Sequence, residues 1–247
     1  MAHIRCDFRS EVLDMNTSMT VILPEQIKLS SVKVVYLLHG LADNCSGWSR
    51  YTSVERYARK YNLALVIPEV QRSFYTDMNY GMKYFKFIHE ELNTICMGFF
   101  GFSGKREDTY LMGLSMGGYG ALKCALTTPE SYAGCAMFSA ITDIEKAVNQ
   151  AKDGKSEEYH AIFGNSVAKE ANPYSLLMQD HDYYPSFYVA CGDDDIRLFH
   201  SEKIVSALME KQISVKYENW SGDHNWDFWD EAVRRAFDYF FKEEERG

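Results

Sequence analysis

The sequence predicts an α/β fold with a mainly parallel central sheet and helices on both of its faces. Short apolar segments that suit buried strands alternate with longer segments in which apolar residues recur at helical spacing. The 247 residues can bury a large core, and no internal repeat or low-complexity linker interrupts them. We therefore expect a single domain over residues 1–247.

The first half of the chain is predicted to run strand, strand, strand, helix, strand, helix. Pro24 and Pro68 end the second and the fourth strand, and the third strand is nearly all apolar, as a strand covered on both faces should be. The second helix is predicted from apolar residues at helical spacing: Met82, Phe85, Ile88, Leu92 and Ile95. The predicted segments are strands 4–13, 19–23, 32–38 and 63–67, and helices 54–60 and 80–97.

The second half continues the alternation of strands and helices. Its predicted segments are strands 110–113, 135–138, 186–191 and 214–217, and helices 117–126, 198–211 and 227–242. The segment 139–185 breaks the rhythm because it is polar and aromatic and is punctuated by Gly and Pro. We expect it to form short helices above the carboxyl ends of the strands, as a lid or pocket wall over the active site. The alternative is a surface excursion with no role in binding.

Composition and charge argue against several classes of protein. No apolar run approaches the roughly 18 residues that cross a bilayer. The first ten residues include Arg5, Asp7 and Arg9, where a secretory signal would need an uninterrupted apolar stretch. The chain as written is therefore expected in the cytoplasm, without membrane contact. The formal net charge is −9 and no run of Lys and Arg exists, so we expect no nucleic-acid partner.

The six cysteines lack zinc-like spacing, so we expect most to be reduced and buried, with no metal. The acidic run Glu243, Glu244 and Glu245 is expected to be a solvated helix end. The sequence leaves the oligomeric state open, a homo-oligomer included.

The segment Gly113-Leu114-Ser115-Met116-Gly117 matches the pattern G-x-S-x-G. In this pattern the serine occupies a sharp turn between a strand and a helix, where side chains two residues before and after it would collide. An apolar strand precedes the motif and a glycine-rich helix start follows it, which is the setting that the turn needs. We predict that Ser115 is a nucleophile. The alternative is an ordinary glycine-rich turn.

Attack by a serine develops negative charge on a carbonyl oxygen, which two backbone N–H groups can stabilise. One should belong to Met116, directly after the nucleophile. The other should come from the loop that follows an earlier buried strand, and we choose Leu41 in Leu38-His39-Gly40-Leu41. His39 itself is expected to brace this loop.

With a nucleophile on such a turn, the chain order is Ser, then Asp or Glu, then His. Of the seven histidines, only His200 and His224 follow the acidic run Asp193-Asp194-Asp195. His200 lies on a predicted helix that leads away, whereas His224 lies in a loop before the last helix. His224 is therefore the predicted base, with a structural surface histidine as the alternative. A carboxylate must hold the imidazole in its tautomer, but position alone does not choose among three adjacent aspartates.

Six segments carry a family resemblance: Leu-His-Gly at 38–40, Arg-Ser-Phe-Tyr-Thr-Asp at 72–77, Gly-Leu-Ser-Met-Gly-Gly at 113–118, Cys-Gly-Asp-Asp-Asp at 191–195, Gly-Asp-His-Asn-Trp at 222–226 and Trp-Asp-Phe-Trp-Asp at 226–230. With them the chain resembles, over nearly its whole length, the putative-esterase (esterase D-like) family, and within it the bacterial tributyrin and feruloyl (cinnamoyl) esterases. The resemblance implies an α/β-hydrolase fold with no metal and no organic cofactor.

The resemblance also implies roles for individual residues. The family's acid follows a glycine as G-x-x-D, which selects Asp195 here. A triad of Ser115, Asp195 and His224 follows, with Leu41 and Met116 as oxyanion donors. The run of three aspartates departs from the family, whose members usually carry fewer acids at this point.

These features together predict a carboxylesterase that hydrolyses small acyl esters, either acetyl and other short-chain or cinnamoyl and feruloyl, through an acyl-enzyme. The partner is then a small-molecule ester. Loop aromatics would suit such acyl groups, although at 15% aromatic content many would equally fill the core. The candidates are Trp48, Tyr75, Phe163, Tyr174, Tyr184 and Trp226.

Three other functions stay open at this point. The first is a thioesterase like S-formylglutathione hydrolase, which is less expected because those relatives are taken to have longer chains. The second is an acyltransferase that uses an alcohol in place of water. The third is a non-catalytic binding protein of the same fold, although no triad member is missing.

Overall fold

An eight-stranded sheet runs through the structure, a computed structural model that describes residues 1–25 and 28–242. The order of the strands in space is β1-β2-β4-β3-β5-β6-β7-β8, with β1 (Ala2–Ser10), β2 (Met15–Leu23), β3 (Val34–Leu38), β4 (Ala64–Pro68), β5 (Thr109–Leu114), β6 (Gly134–Phe138), β7 (Ser186–Gly192) and β8 (Val215–Trp220). The hairpin β1–β2 is antiparallel, β2 is antiparallel to β4, and β3 to β8 are all parallel. The predicted mainly parallel sheet is confirmed.

Helices cover both faces of the sheet, also as predicted. They are α1 (Gly47–Tyr51), α2 (Val54–Lys60), α3 (Tyr84–Lys86), α4 (Leu92–Phe100), α5 (Met116–Thr127), α6 (Ile144–Asn149), α7 (Gly154–Phe163), α8 (Pro173–Leu177), α9 (Leu198–Glu210) and α10 (Trp226–Phe241). Successive residues of β3 point to opposite faces. Tyr36 and Leu38 pack in the apolar layer that contains α5 and α9, and Val35 and Leu37 pack in the layer of α2 and α10.

The spacing of apolar residues explains which side chains are buried in α10 and in α5. In α10 the buried residues recur three or four positions apart, and the charged residues, such as Glu231 and Arg234, lie between them. In α5 every residue from Met116 to Leu126 is buried, as expected for a helix packed against the middle of the sheet. Lys123 is the single charged residue in α5.

The predicted helix at 80–97 differs from the observed one. Helical structure starts at α3, passes through a π-helical turn at Phe87–Glu91 and ends with α4, after which Gly101 adopts a left-handed conformation. Residues 80–83 are held outside the helix, because Asp77 and Lys83 form a β-bridge and the Tyr80 N–H donates to the Ala161 carbonyl. Met82, which supported the earlier start, is 42% exposed.

The chain between β6 and β7 forms the short helices α6, α7 and α8. This insertion packs on the loop between β4 and α3 through two backbone hydrogen bonds, from Asn79 N–H to the Ile162 carbonyl (3.0 Å) and from Tyr80 N–H to the Ala161 carbonyl (2.8 Å). It also contacts α5, since the Tyr119 hydroxyl donates to the Ala171 carbonyl at 2.6 Å. The insertion therefore lies at the edge of the sheet where β5 ends.

Both outer strands of the sheet carry charges at alternate positions. On β1 these are Arg5, Asp7 and Arg9, all exposed, and on β8 they are Lys216 and Glu218. Within the described ranges, none of the helices is both long enough and apolar enough to span a bilayer. The acidic run at 243–245 lies outside the described residues.

Candidate active site

Ser115 occupies the turn between the end of β5 and the start of α5. Its φ of 50° and ψ of −113° are strained for a residue with a side chain. A Cβ atom at Gly113 would lie 2.3 Å from the Gly117 carbonyl oxygen, and a Cβ atom at Gly117 would lie 2.3 Å from the Leu38 carbonyl oxygen. Only glycine fits at these two positions, so the motif produces a turn that lifts the serine above the sheet.

His224 lies between Ser115 and Asp195 and is within hydrogen-bond distance of both. Its Nε2 is 3.1 Å from Ser115 Oγ, and its Nδ1 is 3.1 Å from Asp195 Oδ1 and 3.0 Å from Oδ2. An ionised carboxylate only accepts hydrogen bonds, so Nδ1 must carry the proton and donate. Nε2 is then free to accept the proton of the Ser115 hydroxyl.

Of the three adjacent aspartates, the structure brings Asp195 alone to the imidazole. Asp195 is 5% exposed, whereas Asp193 and Asp194 are exposed, and Asp193 instead accepts the Gly222 N–H at 3.1 Å. Burial on its own would raise the pKa of Asp195. Hydrogen bonds from His224, from the Ser139 hydroxyl and from the Arg197 N–H (2.7 Å) hold that pKa below its usual value. Asp195 is therefore ionised near neutral pH.

Two residues that the sequence analysis did not single out support the hydrogen-bonded row formed by Ser115, His224 and Asp195. The Trp229 ring meets the His224 ring edge-on, with the centroids 4.9 Å apart. Trp229 Nε1 donates to the buried Ser139 hydroxyl at 3.0 Å. Their positions carried a signal, since Ser139 directly follows β6 at the same edge of the sheet and Trp229 lies one turn into the helix after His224.

The N–H groups of Leu41 and Met116 lie at neighbouring strand ends. Strands β3 and β5 are adjacent and parallel with Leu38 opposite Gly113, so Leu41 and Met116 each lie three residues beyond a paired position. Within residues 1–25 and 28–242, neither N–H donates to a backbone or side-chain acceptor. Both groups are therefore available to an oxygen atom bound at this edge.

His39 braces the loop that contains Leu41. The Val70 N–H donates to His39 Nε2 at 3.2 Å, so the ring proton is on Nδ1, which donates to the Gly40 carbonyl at 2.8 Å. Burial lowers the pKa of His39 and so favours this neutral ring.

Trp226, next but one to His224 in the chain, is a predicted pocket aromatic that is half-buried beside the site. Its ring centroid lies 5.3 Å from that of Trp229 and 5.4 Å from that of Trp48. Trp48 is completely buried and donates Nε1–H to the Leu38 carbonyl at 3.1 Å. Trp48 therefore packs beneath Trp226 and holds the end of β3, with no surface exposed to a ligand.

The other four predicted aromatics differ in burial and in their place in the fold. Tyr75 is completely buried, and Phe163 packs in an aromatic cluster of the insertion. Tyr174 is half-buried in the insertion. Tyr184 precedes β7 by two residues, which places it at the amino edge of the parallel strands, opposite the edge that carries Ser115.

An ion pair connects the insertion to the loop of Leu41. Arg72 pairs with Glu158 of α7 through two hydrogen bonds, and its Nη1 donates to the Leu41 carbonyl at 3.4 Å. A cavity of about 130 Å³ lies beside this pair. A larger cavity of about 240 Å³ is lined by Arg106 and Thr109 at the start of β5, so it belongs to the opposite edge of the sheet.

The family described as "Putative esterase" matches residues 10–240. The chain belongs to this esterase family. The esterase is 32% identical over 263 residues to the acetyl esterase of Caldicellulosiruptor saccharolyticus, with 98% of this chain and 99% of the relative covered. It is a serine esterase with an α/β-hydrolase fold, as the resemblance implied.

Two solved structures are similar to the esterase over almost its whole length. One is the fluorophosphonate-binding serine hydrolase FphF of Staphylococcus aureus, with a TM-score of 0.89, 31% identity and coverage of 98% of this chain and 99% of that chain. The other is the S-formylglutathione hydrolase FrmB of the same organism, with a TM-score of 0.87, 32% identity and coverage of 97% and 98%. Since FrmB has nearly the same length, chain length does not separate the two activities, contrary to the expectation from sequence.

Proposed function

We propose that this serine esterase is a carboxylesterase that hydrolyses small acyl esters, with Ser115 as nucleophile, His224 as base and Asp195 as the carboxylate that orients the base. The observation that carries this proposal is the hydrogen-bonded row from Ser115 Oγ through His224 to Asp195. The free N–H groups of Leu41 and Met116 support it, because acyl transfer needs such donors beside the nucleophile.

In the first half of the reaction, His224 Nε2 takes the proton of the Ser115 hydroxyl as Oγ forms a bond to the ester carbonyl carbon. The carbonyl oxygen becomes negatively charged and accepts hydrogen bonds from Leu41 and Met116. Loss of one such donor typically costs about 3 kcal/mol in the barrier. The imidazolium then gives its proton to the leaving alcohol oxygen, and an acyl-enzyme remains.

In the second half, His224 takes a proton from water as the water oxygen attacks the acyl-enzyme carbonyl. Collapse of the second tetrahedral species returns the proton to Ser115 Oγ and releases the acid. Asp195 accepts the Nδ1 proton as a hydrogen bond throughout and stabilises the imidazolium, so it needs to stay ionised.

We propose acetyl and other short acyl groups as the substrate class. The named activity of the Caldicellulosiruptor relative supports acetyl, and the aromatic surface of Trp226 beside His224 would suit a small acyl or alcohol group. In this proposal residues 1–247 act as one domain, and the insertion at 139–185 walls the site. The ion pair of Arg72 with Glu158 supports that role, since it joins α7 to the Leu41 loop.

The direct test replaces Ser115 by Ala and measures hydrolysis of p-nitrophenyl acetate. We expect turnover to fall at least 10³-fold, because the nucleophile is lost while the fold is kept. A fluorophosphonate probe should label Ser115 in the parent enzyme and nothing in the variant. A variant with more than a few per cent of the parent rate would refute the assignment.

The similarity to FrmB favours a second candidate, hydrolysis of S-formylglutathione by the same residues. A panel of acetyl to octanoyl esters, methyl ferulate and S-formylglutathione separates the two by kcat/KM. A kcat/KM highest for S-formylglutathione would replace the ester proposal with the thioester one.

A further inference from the structure

Lys123 is a completely buried lysine on α5, on the helix that begins directly after Ser115. Its side chain is 1% exposed, and Nζ donates to the Tyr75 carbonyl at 2.6 Å and to the Thr76 hydroxyl at 3.1 Å. The ammonium lies 4.1 Å from the centroid of the Phe85 ring and 5.4 Å from that of the Tyr119 ring. Burial lowers the pKa of Lys123 to about 7, so the position destabilises the charged form.

The carbonyl that Lys123 holds belongs to a strained segment. Phe74 and Tyr75 are consecutive residues with side chains, and both have a φ of 51°, in the left-handed region. Such a conformation persists only where the surroundings hold it. Lys123 holds the carbonyl of Tyr75, and the Thr76 hydroxyl that accepts from Lys123 itself donates to the Phe74 carbonyl at 3.0 Å.

Tyr75 in turn holds the loop of Leu41. Its side chain is completely buried, and its hydroxyl donates to the His39 carbonyl at 2.9 Å. The peptide bond of that carbonyl leads into Gly40, and the next residue is Leu41. A continuous series of contacts therefore runs from Lys123 through Tyr75 to the His39–Gly40 peptide, which directly precedes the peptide that carries the Leu41 N–H.

We propose that Lys123 is a positioning residue for the oxyanion hole, acting through Tyr75 on the loop that presents the Leu41 N–H. This inference rests on the proposed function, in which that N–H donates to the developing oxyanion. Such a donor works only within about 2.7–3.1 Å of the oxyanion. Loss of this series of contacts lets the Leu41 loop shift while the Ser115–His224–Asp195 contacts stay in place.

The test uses Lys123→Met, which removes both hydrogen bonds and keeps an unbranched side chain, and Tyr75→Phe, which removes only the hydroxyl. For p-nitrophenyl acetate we expect kcat to fall about 10- to 100-fold in each variant while KM changes less than threefold, because part of an oxyanion donor is lost. Affinity for a trifluoromethyl ketone, which forms a tetrahedral adduct, should weaken in parallel. Active sites are counted by fluorophosphonate labelling, so misfolded protein does not lower the measured kcat.

The matched control is Tyr188→Phe, which removes another buried tyrosine hydroxyl, one bonded to Glu218 on β8. This variant should lose stability but keep kcat within twofold. The double variant Lys123→Met/Tyr75→Phe should be no slower than the slower single variant, because both changes break the same series of contacts.

Three results would overturn the inference: parental kcat in Lys123→Met, parental kcat in Tyr75→Phe, or losses that multiply in the double variant. If Lys123→Met does not fold, Tyr75→Phe decides alone. Failure of the proposed function itself would appear separately, as activity that survives Ser115→Ala.

Discussion

The carboxylate of Asp195 shows how the environment of one residue differs from that of its neighbours in the chain. Asp193 and Asp194 face solvent, whereas Asp195 turns inward and receives hydrogen bonds from the imidazole and from the Arg197 N–H. Those bonds outweigh the burial that would otherwise favour a neutral acid. An acceptor-only group at this place dictates which nitrogen of His224 carries the proton.

Replacement of Asp195 by Asn should therefore change the tautomer of the His224 imidazole. The amide NH₂ of Asn would donate to Nδ1, the ring proton would move to Nε2, and Nε2 could no longer accept the Ser115 proton. We expect kcat to fall roughly 10³- to 10⁴-fold, with the fold intact by circular dichroism. Asp194→Asn is the matched control and should stay within twofold of the parent, so a larger loss in Asp194→Asn would contradict the assignment of Asp195.

At this scale, sequence predicts the residues whose chemistry leaves few choices. Ser115, His224 and the two oxyanion candidates followed from one motif, one strand end and the chain order. Sequence did not distinguish Trp48 and Tyr75, which are buried, from aromatics that line a surface, because an aromatic ring in a loop suits either environment. The buried position of Lys123 could have been noticed in the sequence, since Lys123 is the one charged residue of the helix predicted at 117–126.

The first turn of α5 lies directly against the end of β3. Gly117→Ala would bring a Cβ atom to 2.3 Å from the Leu38 carbonyl oxygen, and that atom belongs to the backbone and cannot move aside cheaply. We expect the free energy of unfolding to fall by about 1–3 kcal/mol. Activity should fall as well, because Leu38 leads into the loop of Leu41.

The control for that substitution is Gly98→Ala in α4. Beyond its own helix backbone, a Cβ atom at Gly98 would have no heavy atom within 4 Å, so alanine should stabilise the helix by about 0.5–1 kcal/mol. Urea unfolding of the two variants should give changes of opposite sign. Equal changes would show that the close approach at Gly117 is not what limits this position.

Element types were easier to predict than element limits. The inner parallel strands β3 to β7 and α5 were predicted within a few residues because continuous apolar runs report burial on both faces. The start of α3 was missed by four residues, because hydrogen bonds of the loop at 77–83 to the insertion compete with the helix, and a spacing pattern does not report such contacts. The π-helical turn at Phe87–Glu91 was missed as well.

At the scale of the whole molecule, the contact of His200 with Asp143, between α9 and the insertion, is expected to make the stability of the fold depend on pH. Its Nδ1 accepts the Asp143 N–H at 3.1 Å, which requires a ring without a proton there. Burial, helped by the Arg197 charge, lowers the pKa of His200 from 6.5 to about 4. Between these two pH values the unfolded chain binds a proton that the folded chain does not, so stability falls as the pH drops through that window.

His200→Asn should reduce this dependence, because the asparagine oxygen can still accept the Asp143 N–H and does not titrate. We expect the free energy of unfolding, measured with urea from pH 7 to pH 4, to fall less steeply in the variant than in the parent. Above pH 6.5 the two slopes should agree. Parallel curves over the whole range would contradict the role assigned to His200.

The charged outer strands have a consequence for how far the sheet can extend. An unpaired strand edge offers free N–H and carbonyl groups to any extended segment that approaches it. A strand added to β1 would have to lie beside Arg5 and Asp7, and a strand added to β8 would have to lie beside Lys216 and Glu218. In both cases it would displace the water around the charged groups. Extension of the sheet beyond its eight strands would therefore cost the dehydration of these ions, which opposes edge-to-edge association.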